Sequence, residues 1–179
     1  MEYNQLSNDR VIIRVNNMIS MISEKLHVEV KSVVLFGSRV RGIRNSQNEY
    51  EILIFLQSDI DLKRFITFTE LITLELLREK IHNVKIKTYT PDIFENILYT
   101  DKILGTYLYM MCRECVILYD KYFIFREIQE KLFKNNVKDE EVFLNQCVDF
   151  ARMFESEKWA EKWEKTLMQF RYLRKRRKM

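Results

Sequence analysis

A chain of 179 residues has room for one domain with a sizeable core, or for a small domain carrying a helical appendage. Apolar residues make up 47% and charged residues 31%, with only three glycines and one proline, which excludes a disordered or collagen-like chain and favours an ordered, helix-rich one. The net charge of +4 is a property of the end: "RYLRKRRKM" holds six of the 30 Lys and Arg residues and no acid, so residues 1–170 carry a small acidic excess.

No apolar run approaches the roughly 20 residues that cross a bilayer, and the start lacks the pattern of a secretory signal. The expectation is a cytoplasmic protein with no membrane partner. Three cysteines are an odd number in such a chain, so reduced thiols are expected. Cys112 and Cys115 form a C-x-x-C without a second ligand pair, and read as small apolar residues at a helix-to-strand junction rather than as a zinc site.

In chain order, Val11, Ile12, Val15, Met18, Ile19, Ile22 and Leu26 recur at helical spacing and predict an amphipathic helix over 8–26, capped by Ser7 or Asn8. "VKSVVLF" is β-branched and ends at Gly37, so Val30 to Phe36 reads as a buried strand running into a turn, with a short helical turn from Ser38. "EYEILIFL" is a second buried strand, placing Glu49, Glu51, Leu53 and Phe55 on one face and Tyr50, Ile52, Ile54 and Leu56 on the other.

"SDIDLKRFITFTELITLELLREK" predicts a long helix, with Ser58 and Asp59 as its cap and acids in its first turn. The pair Asp59 and Asp61 is thereby explained without metal chemistry. "VKIKTYT" alternates and predicts a third strand, Val84 to Tyr89. "TPDIFENIL" is a specific helix start, with a capping Thr90, Pro91 at the first position and Asp92 in the first turn. A helix over 101–113 and a fourth short strand, "CVILY", follow.

Residues 121–179 hold no glycine, no proline and no convincing strand, and predict two helices, over 122–135 and 138–174. Trp159 and Trp163, one turn apart, read as packing surface against the first domain or a second chain. The basic end reads as a solvated helix terminus whose cations favour the dipole; contact with nucleic acid is the alternative. The expected organisation is an α/β (α+β) domain over 1–120, a small mixed sheet of about four strands flanked by helices, and a helical extension over 121–179.

A strand that ends in Gly-Ser offers backbone N–H groups and a hydroxyl to an anion, and the glycine lets a phosphate approach closely. Glu49 and Glu51, one residue apart on a strand, share a face and can share a divalent cation. Side by side, these are the equipment for phosphoryl transfer.

"VVLFGSRVRG" followed by a carboxylate-x-carboxylate strand resembles the nucleotidyltransferase superfamily of DNA polymerase β type, in particular its minimal nucleotidyltransferase branch. The resemblance covers about residues 10–120, including "YLYMMCRECVILYD" as the closing helix and strand. It implies the nucleotidyltransferase fold, and transfer of a nucleoside monophosphate from a nucleoside triphosphate to a hydroxyl with two Mg²⁺ (or Mn²⁺) ions held by three carboxylates. It implies triphosphate binding by Gly37 and Ser38, charge neutralisation by Arg39 and Arg41, and metal binding by Glu49 and Glu51. Many minimal members are antitoxins that modify or bind a HEPN-type toxin, which makes such a partner, or self-association through the C-terminal helices, an expectation.

Two departures stand out. The pair is Glu-x-Glu where the family has Asp-x-Asp, and each added methylene moves a carboxylate by about 1.5 Å on an unchanged backbone. The third carboxylate belongs on the strand "VKIKTYT", where this chain has Lys85 and Lys87. A lysine there removes a metal ligand and cannot act as a base while protonated, but it can contact a phosphate. Two readings stay open: a weakened transferase, or a nucleotide- or partner-binding module that has lost catalysis.

Overall fold

The computed structural model describes residues 9–37, 39–40, 49–134, 137–153 and 157–176. Among these are seven α-helices and a four-stranded mixed sheet. Helix α1 (Arg10–Leu26) leads into β1 (Val30–Phe36) and β2 (Tyr50–Leu56); α2 (Leu62–Arg78) connects to β3 (Val84–Tyr89). Then come α3 (Pro91–Thr100), α4 (Lys102–Arg113) and β4 (Cys115–Asp120), and after a 3₁₀ turn (Lys121–Phe123) the helices α5 (Ile124–Lys134), α6 (Val137–Met153) and α7 (Glu157–Arg176).

The strand order is β3-β2-β1-β4, antiparallel except for the parallel β2–β3 pair that α2 bridges. Every residue from Ser32 to Phe36 and from Ile52 to Leu56 is buried, because the two central strands are covered on both faces. That is why both read as continuous apolar runs, whereas the edge strands β3 and β4 are only partly buried.

On one face, Val33, Leu35, Tyr50, Ile52, Ile54 and Leu56 pack with Ile12, Val15, Ile19 and Ile22 of α1 and Phe68, Ile72 and Leu76 of α2. Each such side chain contributes about 1.5–3 kcal/mol by leaving water. On the other face Phe55 meets Phe94 edge-on at 4.9 Å and Phe125 at 5.7 Å between ring centroids.

The helix starts differ in detail from the expected ones. Asp9, not Ser7 or Asn8, caps α1, accepting a hydrogen bond from the Val11 N–H at 2.9 Å. Asp61, not Ser58 or Asp59, caps α2 by accepting from the Arg64 N–H at 2.9 Å. Ser58 instead donates to Asp92 Oδ1 at 2.9 Å across to the start of α3. The start of α3 is as read, with Pro91 at its first position and the Thr90 hydroxyl accepting from the Ile93 N–H at 3.4 Å.

The chain divides into two compact units, Met1–Phe94 with Glu114–Arg126, and Glu95–Arg113 with Glu127–Met179. The first holds the sheet, α1 and α2. In the second, α6 and α7 are two helices, not the single one expected over 138–174. They pack antiparallel, since Glu141 near the start of α6 pairs with Arg171 and Arg174 near the end of α7, and Arg152 pairs with Glu164. One continuous helix would leave the apolar stripes of both halves in water; folding back buries Leu144, Cys147, Val148 and Ala151 on α6 and Ala160, Trp163 and Leu167 on α7. Also in this unit, Arg113 at the end of α4 binds the Tyr109 hydroxyl and Glu140, while Tyr109 stacks on Phe143 at 4.8 Å.

None of the three cysteines is in a disulfide; Cys112 and Cys147 are buried and Cys115 partly so. Among the described residues no helix is long and apolar enough to cross a membrane.

Candidate functional site

Gly37 closes β1 with φ of +84°, a backbone conformation that suits glycine because it lacks a Cβ. The antiparallel register sets Phe36 opposite Glu51, so the turn and the second carboxylate meet at one end of the sheet. A Cβ on residue 37 would lie 1.8 Å from Glu51 Oε2 and 2.8 Å from its Cδ. The Glu51 carboxylate therefore rests directly on the backbone of the turn, in space that any other residue at 37 would fill.

Glu49 stands just before β2, on the Glu51 side. The parallel ladder sets Glu51 beside Lys85 and Leu53 beside Lys87. Val84 and Ile86 pack toward the core formed with α1 and α2, so Lys85 and Lys87 extend from the other face, the one carrying Glu51 and Phe55. There the Lys85 ammonium reaches Glu49 Oε2 at 2.6 Å. The bond to Glu49 holds the Lys85 pKa above the usual lysine range, with the charge of Glu51 adding to the effect, so the ammonium is protonated at neutral pH.

Arg39 stacks its guanidinium on the Tyr50 ring, 3.7 Å from the centroid. Tyr50 is buried and its hydroxyl donates to Asp9 Oδ2 at 2.7 Å. Asp9 thus caps α1 with one oxygen and anchors the start of β2 with the other. Sequence reasoning missed this pair; the only signal was a third cap-competent residue after Ser7 and Asn8. Ser38 and Arg41, the other expected phosphate contacts, lie outside the described residues.

The structure thus brings Gly37, Glu49, Glu51 and Lys85 together and sets Lys87 further along the same face. Asp59 and Asp61 stand at the opposite end of β2, about 20 Å away by the rise of a strand. No group of three or more His, Cys, Asp or Glu side chains that could hold a metal ion occurs among the described residues. Magnesium demands near-octahedral oxygen ligands at about 2.0–2.1 Å. Among the described residues, Glu49 and Glu51, with Glu49 bonded to an ammonium, do not make that donor set.

No protein-family model matches the chain, and no curated protein matches it. Among solved structures it is similar to one described as "Crystal structure of the toxin-antitoxin with AMP-PNP", at 11% identity over 72% of this chain and 94% of that one, with a TM-score of 0.43. At that similarity two chains need share neither site nor activity.

Proposed function

We propose that this chain is a nucleotidyltransferase-fold protein that binds a nucleoside triphosphate and has lost most or all of its transfer activity. The observation that carries the reading is the Lys85 ammonium 2.6 Å from Glu49 Oε2, on the strand where the fold's third carboxylate belongs.

Transfer needs a group that takes the proton of the attacking hydroxyl, and a lysine, protonated at neutral pH, accepts none. Binding needs less. The left-handed turn at Gly37 lets a phosphate approach the backbone, and Lys85 and Lys87 supply positive charge on the face that carries Glu51. Lengthening both aspartates of the family pattern to glutamates is tolerable for a binding surface, where a long carboxylate can swing aside. It is costly for in-line chemistry, where misplacement by about 1 Å can lower the rate a hundredfold.

The test is equilibrium dialysis of the full chain against labelled ATP, CTP, GTP and UTP. Saturable binding of at least one, weakened by Gly37→Val, supports the reading. No binding of any of the four up to millimolar concentration refutes it.

A further inference from the structure

We propose that the site takes the polyphosphate of a nucleotide without a divalent metal ion, with Lys85 as its built-in cation. This rests on the nucleotide-binding reading above and sharpens it.

The backbone of Lys85 is beside Glu51 in the β2–β3 ladder and its ammonium is on Glu49, so one positive group serves the two carboxylates that would otherwise share a metal ion. A dication on Glu49 and Glu51 would have to displace this ammonium or sit against it, and like charges that close repel strongly. The position of the missing third ligand thus holds a group that opposes metal binding.

The charge of the face points the same way. A site with three carboxylates repels a triphosphate until metal ions neutralise both partners. Here the same face carries Glu49 and Glu51 together with Lys85 and Lys87, two anions against two cations. A face with balanced charges opposes a polyanion far less than three carboxylates would. The side chains are also the right kind: an ammonium is a three-donor point charge that binds phosphate oxygens, and Lys87 follows Lys85 two residues on, about 7 Å along the strand, a spacing that suits the two ends of a triphosphate rather than adjacent phosphates. Glu51, resting on Gly37, must rotate off the turn when a phosphate arrives. Its contact is made by the far end of a flexible side chain, so the rotation needs no backbone movement.

Two measurements on the full chain test this. In the first, labelled ATP binding is compared in excess EDTA and in 5 mM (order of magnitude) MgCl₂, for wild type and Lys85→Asp. The expected result is wild-type affinity equal within about twofold in the two buffers, and a loss of about tenfold or more for Lys85→Asp in EDTA, as for one charge-assisted phosphate contact. Wild-type binding that collapses in EDTA and returns with Mg²⁺ overturns the proposal, as does Lys85→Asp binding equal to wild type in EDTA.

The second measurement leaves nucleotide out: Mn²⁺ alone is titrated and followed by its electron paramagnetic resonance signal. No uptake by wild type, with uptake gained in Lys85→Asp, is expected. Uptake by wild type that disappears in Glu49→Gln/Glu51→Gln overturns the metal-free site whether or not a nucleotide binds. Failure of all four nucleotides in dialysis would instead refute the underlying function. Circular dichroism melts confirm that each variant folds.

Discussion

Lys85 on β3 and Glu49, just before β2, form an ion pair at 2.6 Å, with the lysine side chain 62% and the glutamate 40% exposed. A pair this open to water is weak as a structural device, because solvent screens it and two long side chains must be held still. Its importance is chemical: it puts a fixed positive charge on the face where the resemblance implies a third carboxylate. Lys85→Ala should therefore leave the melting temperature within about 2 °C of wild type, while changing anion binding. A large drop on heating in a circular dichroism melt would show that the pair is structural instead.

Gly37 makes a separate prediction. Its φ of +84° disfavours any L side chain, and a Cβ there would meet Glu51 Oε2 at 1.8 Å. Gly37→Ala should cost about 1–2 kcal/mol in a urea titration, the price of a left-handed conformation for a residue with a Cβ. Because the Glu51 end can rotate away, Glu51→Ala in the same chain should recover less than half of that loss. Full recovery would mean that the side-chain clash, not the backbone, sets the cost.

Asp9 links α1 to β2 through one carboxylate, capping the helix and accepting from Tyr50. Tyr50→Phe should cost about 1 kcal/mol, a single partly buried hydrogen bond. Asp9→Ala should cost about 1–2 kcal/mol, since it removes the cap as well. The two losses should not add in the double variant, because both include the same bond. Strict additivity in denaturant titrations would remove the bond from the account.

The α6–α7 pair predicts a pH dependence. The hydrogen bond from Arg171 lowers the Glu141 pKa, with the charges of Arg171 and Arg174 adding to it. A carboxylate with a depressed folded-state pKa stabilises the fold above its unfolded value, near 4.5, and loses that contribution as pH falls through the lower folded value. Glu141→Gln should thus flatten the acid side of a plot of melting temperature against pH, with the difference between wild type and variant shrinking below about pH 4. A difference that is constant from pH 3 to 7 would show that Glu141 acts through packing alone.

Much of the sheet was legible because the signals were local and mutually consistent. The apolar runs of β1 and β2, the alternation of β3, and Thr90 with Pro91 at the start of α3 each carry their own physical cue. The caps at Asp9 and Asp61 were misassigned, since Ser7, Asn8 and Asp9, or Ser58, Asp59 and Asp61, all have the side chain a cap needs, and only the backbone decides which is used. The division between α6 and α7 had no glycine or proline to mark it. It follows from tertiary burial, which a helical period does not reveal. In the candidate site, the shared face of Glu49 and Glu51 follows from the strand period, but the Lys85 bond depends on β3 lying parallel beside β2. The contact between Glu51 and Gly37 depends on the β1–β2 register. Neither is written in any one segment.

With Lys85 where a third carboxylate is implied, the site is proposed to bind a nucleotide without turning it over. The most direct test is incubation of the pure full chain with α-labelled ATP, CTP, GTP and UTP in Mg²⁺ or Mn²⁺, scoring transfer of label to protein or to added hydroxyl acceptors alongside saturable binding. Binding with no transfer above that of a protein-free control is expected. Transfer in wild type that is abolished by Glu49→Gln and Glu51→Gln would contradict it.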